Sequence, residues 1–323
     1  MIFNTISRRG GFQTRPNGKI LQAHSRAPLR IIMPRGREHT HICLFPLMRT
    51  HYVCSVERIG AAKAGRRFRL CLPVFALLFC LLSCSRQDTD TWSKISRNGI
   101  LRVGTDATYP PFETVDTKTS DVAGFDIDLM CAICVRYDVK PEFIVTPFDG
   151  IIPGLTTGKY DAIISSFTIT PQRASRVLFS RPYYDAGQAI AVGLDDATIH
   201  TVDDLVGKRI GVQLGTTGER LAHRITDAEI FSYENIGAAF IDLENGHVDA
   251  VVNDEPTSRM IIAERKTAKI VGPRLSEEHY GIAVRLGDST LVQKIDLALI
   301  ALERNGTVDS LKKKWFGDVG RNP

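Results

Sequence analysis

The sequence predicts an α/β protein made of two similar lobes that are joined by two strands. The 323 residues, of which 43% are hydrophobic and 24% charged, suffice for two domains of ordinary size. Gly-Lys-Tyr-Asp-Ala-Ile-Ile-Ser-Ser over 158–166 recurs as Gly-His-Val-Asp-Ala-Val-Val-Asn-Asp over 246–254. Apolar runs typical of buried strands alternate with segments of helical periodicity. This alternation favours an α/β architecture, and the repeat favours two copies of it.

The charge of the chain is divided unevenly between its start and the rest. Residues 1–84 hold 14 of the 41 Lys and Arg residues but 2 of the 36 Asp and Glu residues. The rest of the chain therefore holds 27 basic and 34 acidic residues, although the whole chain has a net charge of +5. A mildly acidic body without a basic stripe argues against nucleic-acid binding.

Residues 1–84 end in a pattern typical of a secretory signal. Basic residues between Lys63 and Arg69 precede an apolar run from Leu70 to Leu82. This run is shorter than the roughly 20 apolar residues that cross a bilayer, so we expect no permanent transmembrane helix. The residues before about position 55 are either upstream sequence read from an early start codon or a disordered basic extension.

The signal is followed by Leu-Leu-Ser-Cys, which ends at Cys84. This tetrapeptide resembles the lipobox of bacterial lipoproteins, which implies that Cys84 is the lipidated first residue of the mature protein. An ordinary signal with an incidental cysteine is the alternative. In either case we expect the protein in the periplasm or cell envelope, and with a lipobox it would be anchored to a membrane.

Two of the seven cysteines, Cys131 and Cys134, lie beyond residue 84. Their spacing permits a redox pair, but with Ile127 and Met130 they form the i, i+3, i+4, i+7 stripe of an amphipathic helix. No second pair of metal-ligand residues accompanies them. We therefore expect core-facing thiols, and neither a metal nor a cofactor.

Polar side chains follow the first copy of the repeat, where a strand gives way to a helix. Thr170 is a candidate N-cap for that helix. Ligands of open α/β sheets bind beyond the carboxyl ends of strands, so Ser166, Thr168 and Arg173 are expected to face one crevice. An arginine at a helix N-terminus gains nothing from the helix dipole, so we infer that an anion lies between them. A solvated arginine or a surface salt bridge is the alternative.

The repeat places polar residues at matching strand ends of the second lobe. It aligns Ser166 with Asp254 and, more faintly, Asp106 with Gln213. Gly-Thr-Thr-Gly over 215–218 offers backbone N–H groups at a helix N-terminus, which is a site for a carboxylate. It lacks the lysine of a phosphate-binding loop. Asp254 in the same cleft would need a cation.

The chain is expected to cross between the lobes twice, an arrangement suited to hinge closure over a ligand. We expect the first lobe to comprise residues 95–190 and 281–318, the second lobe residues 191–280, and the crossings to lie near 189–194 and 280–284.

Motifs across residues 97–318 resemble, in order, those of solute-binding protein family 3, the polar amino-acid-binding proteins of bacterial ABC importers. They are Gly-Thr-Asp-x-x-Tyr-Pro-Pro-Phe, Gly-Phe-Asp-Ile-Asp-Leu, Asp-Gly-Ile-Ile-Pro-Gly-Leu, Thr-Ile-Thr-Pro-x-Arg, Gly-Thr-Thr-Gly, Asn-Asp-x-Pro and Lys-Lys-Trp-Phe-Gly. The resemblance implies a type II periplasmic-binding-protein-like fold that closes on one free L-amino acid and delivers it to an ABC transporter permease. It assigns nine residues to the ligand: Arg173, Thr168 and Thr217 to the carboxylate, Asp254 and Ser166 to the ammonium, Tyr109 and Phe148 to the flanks of the side chain, and Asp106 and Gln213 to its tip.

The tip residues favour a basic amino acid (arginine, lysine or histidine), because an anionic side chain would be repelled by Asp106. Glutamine is the alternative, since Asp106 and Gln213 can also bond a neutral amide, and Asp106 can instead cap a turn. The other class to consider is a periplasmic dehydratase-like enzyme on the same fold. We expect no catalysis and a monomer.

Overall fold

The structure is a computed structural model that describes residues 90–116 and 118–317, all within one compact unit. The predicted signal, the extension before it and Cys84 lie outside the described residues. Within the described ranges, no helix combines the length and the apolar character needed to cross a bilayer.

Fifteen strands occur in the described ranges, and four sheets contain them. They are β1 (Ile100–Thr105), β2 (Thr108–Tyr109), β3 (Glu113–Val115), β4 (Val122–Ala123), β5 (Lys140–Val145), β6 (Ala162–Ile163), β7 (Val177–Phe179), β8 (Tyr184–Ala186), β9 (Gln188–Gly193), β10 (Arg209–Gln213), β11 (Glu229–Tyr233), β12 (Ala250–Asp254), β13 (Ala268–Val271), β14 (Glu278–Tyr280) and β15 (Ala283–Arg285). Two five-stranded sheets form the centres of the two lobes, in the orders β5-β1-β6-β15-β7 and β11-β10-β12-β9-β13. The predicted α/β fold class is confirmed.

Nine α-helices and two 3₁₀ helices accompany these sheets in the described ranges. They are α1 (Thr91–Asn98), α2 (Phe125–Val135), α3 (Ile151–Thr156), α4 (Pro171–Ala174), α5 (Thr217–Ala222), α6 (Ile236–Glu244), α7 (Glu255–Arg265), α8 (Ser289–Arg304) and α9 (Thr307–Phe316), with 3₁₀ helices at Phe148–Gly150 and Val202–Leu205. The last two helices pack on α2 and so return the end of the chain to the first lobe. Helix α4 begins as predicted, because the Thr170 hydroxyl accepts a hydrogen bond from the backbone N–H of Arg173.

The central strands are buried on both faces, which explains their continuous apolar sequence. In the first lobe β1 runs parallel to β5 and β6, and in the second β10 runs parallel to β11 and β12. Gly104 of β1 leaves room for the ring of Tyr160, since a Cβ there would lie 2.5 Å from the ring. Residues of the predicted cleft lie at or just after the carboxyl ends of β1, β6, β10 and β12.

The two halves of the repeat form the same ion pair at the same place in each lobe. Arg102 binds Asp161 through Nη2 at 2.8 Å and Nε at 3.0 Å, and Arg209 binds Asp249 through Nη2 at 2.7 Å and Nε at 3.2 Å. In the first lobe Arg285 adds a third contact, from Nη2 to Asp161 Oδ1 at 3.2 Å. Each pair joins an arginine of one central strand, β1 or β10, to the aspartate just before the neighbouring strand, β6 or β12. The repeat in the sequence is therefore also a repeat in the structure.

The lobes are linked by a two-stranded ribbon in which β8 pairs antiparallel with β14. The predicted crossing near 189–194 is wrong by a few residues, and residues 188–190, assigned above to the first lobe, lie in β9. That strand pairs with both β12 and β13 and so belongs to the second sheet. Its apolar character reflects burial inside a sheet.

Helix α2 explains the spacing of Cys131 and Cys134, because both lie on or beside its buried face. Met130 and Cys134 are buried and Cys131 is half-buried at the edge of the same face, with both thiols free. Burial raises the pKa of both thiols, that of Cys134 to about 12. A protonated, buried thiol is a poor redox nucleophile, so the core interpretation fits the structure.

Candidate functional site

A small cavity lies between the two lobes, and eight of the nine predicted ligand residues line it. The lining consists of Tyr109, Phe148, Ser165, Ser166, Thr168, Arg173, Gln213, Thr216, Thr217 and Asp254. The space open to water is about 10 Å³, room for about one water molecule. The amino acid that the sequence motifs imply is larger than this space and would fit only after the lining side chains had moved apart.

A wider groove of about 320 Å³ adjoins this cavity and shares Phe148 and Arg173 with it. Gln172, Arg176 and Arg220 also line the groove. The wall formed by Phe148 and Arg173 therefore separates the cavity from a groove that is open to solvent.

Arg173 provides the positive end of the cavity. Arg173 is 5% exposed, and its guanidinium carbon lies 4.2 Å from the ring centroid of Phe167 and 5.3 Å from that of Phe148. Nη1 donates to the carbonyl of Thr168 at 2.9 Å and Nη2 to the carbonyl of Gly215 at 3.2 Å, so the group touches both lobes. Burial, with Arg220 nearby, lowers its pKa to about 10, which leaves it charged at neutral pH.

This guanidinium forms no salt bridge with a carboxylate of the described residues. Two of its five N–H donors are used by carbonyl groups, which leaves three for another acceptor. A buried arginine with free donors is suited to bind an anion.

Asp254 provides the negative end, at the carboxyl end of β12. The Tyr109 hydroxyl lies 2.6 Å from Asp254 Oδ2 and 2.6 Å from Asn253 Oδ1, and Gln188 Nε2 donates to Asp254 Oδ1. Burial, and then the charge of Glu278, raises the pKa of Asp254 to about 7. Among the described residues no cation pairs with it.

Asp106 is the predicted residue that does not line the cavity. It accepts hydrogen bonds from the Thr108 hydroxyl at 2.6 Å and from Gln213 Nε2 at 2.9 Å, and burial raises its pKa. Because the amide nitrogen of Gln213 faces this carboxylate, the amide oxygen is the group left for the cavity. Gln213 Oε1 is buried and has no partner among the described residues.

The two predicted flanking rings do not lie against each other. Tyr109 is held by the carboxylate of Asp254, whereas Phe148 packs edge-on against Phe167 at 5.8 Å between centroids. Phe148 also covers the Arg173 guanidinium, as noted above.

Behind the cavity the structure adds a pair of buried carboxylates that sequence reasoning missed. Glu113 accepts hydrogen bonds from the hydroxyls of Ser165 and Ser166, at 2.9 and 3.4 Å, and Asp126 accepts one from the Ser166 backbone N–H at 2.8 Å. Ser166 has a φ of 45°, in the left-handed region, so these bonds hold an unfavourable backbone conformation. Burial raises the pKa of both acids, that of Asp126 to about 7.

Glu278 is the other residue that was missed, and it lies on the ribbon strand β14. It is 9% exposed and does not line the cavity, but its carboxylate contacts Thr168 and Thr217, which do. The sequence held one signal for it: Glu278 alternates with the buried Tyr280, so both face the same side of a strand.

The described residues contain no cluster of three His, Cys, Asp or Glu side chains arranged to hold a metal ion. The cavity combines one buried guanidinium with one buried carboxylate between two α/β lobes. Such a combination suits a binding protein whose ligand carries both charges.

The comparisons with known proteins identify the family. Residues 101–318 match the bacterial extracellular solute-binding proteins, family 3, and the chain belongs to this family. It is 36% identical over 225 residues to a putative ABC transporter arginine-binding protein 2 of Escherichia coli strain K12, an alignment that covers 67% of this chain and 90% of that protein.

Two solved structures are also similar to it. An ancestral arginine-binding protein bound to arginine is 44% identical, with a TM-score of 0.66, and the alignment covers 68% of this chain and 99% of that one. The ancestral amino acid-binding protein AncCDT-1, a precursor of cyclohexadienyl dehydratase, is 42% identical, with a TM-score of 0.66 and coverage of 70% and 99%. These likenesses confirm the resemblance expected from the sequence motifs.

Proposed function

We propose that this protein binds a basic amino acid, with arginine as the first candidate, and delivers it to an ABC importer. One observation carries the proposal: a buried guanidinium and a buried carboxylate line the same cavity, and neither has an ionic partner among the described residues. Buried charges are costly unless they are paired. The α-carboxylate and α-ammonium groups of an amino acid supply both partners at once.

Arg173 is proposed to bind the α-carboxylate. Its free donors are matched to a carboxylate in bidentate geometry, and Thr168 and the N-terminus of α5 at Thr217 lie at the same end. The guanidinium already contacts the loop before α5 through Gly215, so a ligand there would join the two lobes.

Asp254 is proposed to bind the α-ammonium, with the carbonyl of Ser166 as a second acceptor. The carboxylate needs a cation because burial and Glu278 both oppose its charge. Tyr109 holds it in place from the first lobe.

Gln213 and Asp106 are proposed to select the side chain, with Tyr109 and Phe148 along its stem. The amide oxygen of Gln213 is an unpartnered acceptor within the described residues, and Asp106 behind it adds negative charge. A guanidinium or ammonium supplies hydrogen-bond donors and positive charge together, whereas a glutamine amide supplies donors alone.

We propose that the protein binds its ligand without transforming it. The two acids of the predicted site that would serve as a general acid or base are held by hydrogen bonds, Asp254 by Tyr109 and Gln188, and Asp106 by Thr108 and Gln213. Incubation with each candidate ligand (arginine, lysine, histidine and glutamine) is expected to return the compound unchanged by mass spectrometry. A time-dependent product would favour the dehydratase-like alternative.

Thermal unfolding of the purified protein with each of the twenty amino acids tests the ligand. A ligand at 1,000 times its dissociation constant stabilises the folded state by about 4 kcal/mol. Arginine is expected to stabilise most, followed by lysine and histidine. Stabilisation by glutamine alone would favour the alternative ligand, and stabilisation by glutamate or aspartate alone would contradict the proposal.

We also propose that Cys84 carries the lipid anchor and that the protein acts as a monomer outside the cytoplasm. The basic residues, the short apolar run and Leu-Leu-Ser-Cys support the export and the anchor. Mass spectrometry of the native N-terminus is expected to find a diacylglyceryl-modified Cys84. An unmodified peptide that spans Phe79 to Asp88 would contradict the anchor, and light scattering tests the monomer.

A further inference from the structure

Glu278 lies directly behind the wall of the cavity and accepts four hydrogen bonds. Its Oε2 accepts one from the Thr168 hydroxyl and one from the Thr217 hydroxyl, each at 2.8 Å. Its Oε1 accepts from the Ser276 hydroxyl at 3.0 Å and from Gln188 Nε2 at 3.3 Å. One carboxylate on the ribbon thus fixes a hydroxyl from each lobe.

A threonine hydroxyl has a single proton, so the direction of that proton decides what the hydroxyl offers to a ligand. Thr168 and Thr217 both direct their protons to Glu278, away from the cavity. Only the lone pairs of the two oxygens then remain for other partners.

Gln188 supports this assignment independently. Its Nε2 donates to Thr217 Oγ1 at 3.0 Å, so that oxygen already acts as an acceptor. The same nitrogen faces the carboxylates of Asp254 and Glu278, and the reverse amide orientation would set an oxygen against both.

We propose that Glu278 is a positioning residue that makes Thr168 and Thr217 hydrogen-bond acceptors toward the cavity, so that with Asp254 they select a ligand with an α-ammonium group. This inference rests on the proposed function and revises one detail of it. The Thr168 hydroxyl serves the ammonium, and the carboxylate is left to Arg173 and backbone N–H groups.

Glu278→Gln is the informative substitution, because the surroundings dictate how the new amide lies. A nitrogen in place of Oε1 would face the Gln188 Nε2 amide group, donor against donor, so the new oxygen takes the place of Oε1 and the new nitrogen faces the two threonines. Their oxygens then accept from this amide, and their protons turn toward the cavity. The α-ammonium group of a ligand would then face hydroxyl protons, which it cannot bond, in place of the lone pairs that it can.

The experiment compares two ligands by calorimetry, L-arginine and 5-guanidinopentanoate, which is arginine without its α-ammonium group. Glu278→Gln is expected to weaken arginine binding about tenfold or more, the effect of losing hydrogen bonds to a charged group. Binding of the deamino analogue is expected to change by less than about threefold, since it makes none of those bonds. Glu277→Gln, which neutralises the exposed neighbouring acid, is the matched control and is expected to bind both ligands as the wild type does.

Each other outcome is decisive. Equal losses for both ligands would mean that Glu278 only supports the fold, and equal gains would mean that it competes with the ligand carboxylate; either overturns the inference. If Glu278→Gln does not fold, Thr168→Val removes one of the two hydroxyls and is expected to show the same selective loss. If the wild type binds arginine but these variants show no selective loss, the inference alone fails. If the wild type binds no amino acid, the proposed function fails and the inference falls with it.

Discussion

Lowering the pH from 7.5 to 5.5 is expected to weaken ligand binding, because Asp254 must lose its proton to bind an ammonium. Its pKa in the ligand-free protein is about 7, raised by burial and by Glu278. If the carboxyl is fully ionised in the complex, the dissociation constant is multiplied by one plus ten to the power of the pKa minus the pH. The constant then rises about 25-fold over this interval, equivalent to about 1.9 kcal/mol.

Calorimetry with arginine at four pH values between 5.5 and 7.5 measures this dependence, and buffers of different ionisation enthalpy count the protons released. Asp254→Asn is the control, since any pH dependence that it keeps belongs to other groups such as Asp126. A change in affinity of less than threefold in the wild type would refute the reasoning.

The stability of the ligand-free protein is expected to change in the opposite direction. The folded pKa of Asp254 lies above its usual value of 3.8, so the group contributes stability while it is protonated. That contribution is full below the unfolded pKa and is lost as the pH rises through about 7. Thermal unfolding of the wild type and of Asp254→Asn without ligand, over the same pH range, separates this contribution from the rest of the protein.

Three further predictions concern single residues. Arg173→Lys is expected to weaken arginine binding by about 1.5–3 kcal/mol, because an ammonium cannot form the bidentate contact; calorimetric affinity within threefold of the wild type would contradict this. Asp106→Asn is expected to lower the preference for arginine over glutamine about tenfold, measured by the two affinities, whereas equal losses would deny Asp106 a part in selection. Gly104→Ala is expected to lower the free energy of unfolding by about 1–3 kcal/mol in denaturant titration, because its Cβ would meet the ring of Tyr160. Gly193→Ala is the control, since an added Cβ there meets open space, and it is expected to change this free energy by less than about 0.5 kcal/mol.

The sequence alone was enough to predict most of the residues near strand ends that line the cavity. Ser166, Thr168 and Asp254 follow apolar runs directly, and the repeat shows which strand end of one lobe corresponds to which in the other. Arg173 was found because its place at a helix N-terminus is electrostatically unusual. Such signals are local, so they survive without knowledge of the tertiary structure.

The buried acids behind the cavity could not be predicted from the sequence, because their contacts are distant along the chain. Glu278 contacts Thr168 across 110 positions of sequence, and Asp126 contacts Ser166 across 40. Nothing near either acid in the sequence indicates that contact. The ribbon was misplaced because an apolar run reads equally as a connector or as a central strand, and only the pairing of β9 with two neighbours decides between them.

The repeated arginine–aspartate pair allows the effect of burial on an ion pair to be measured within one protein. The same bidentate contact occurs at equivalent positions of the two lobes, but the side chain of Asp161 is 8% exposed and that of Asp249 is 30% exposed. Double-mutant cycles on the two pairs would report how the coupling free energy of one ion-pair geometry varies with burial, at constant temperature, salt and chain length. Because Arg285 joins the first pair alone, a third cycle would measure what a second cation adds to a carboxylate that is already paired.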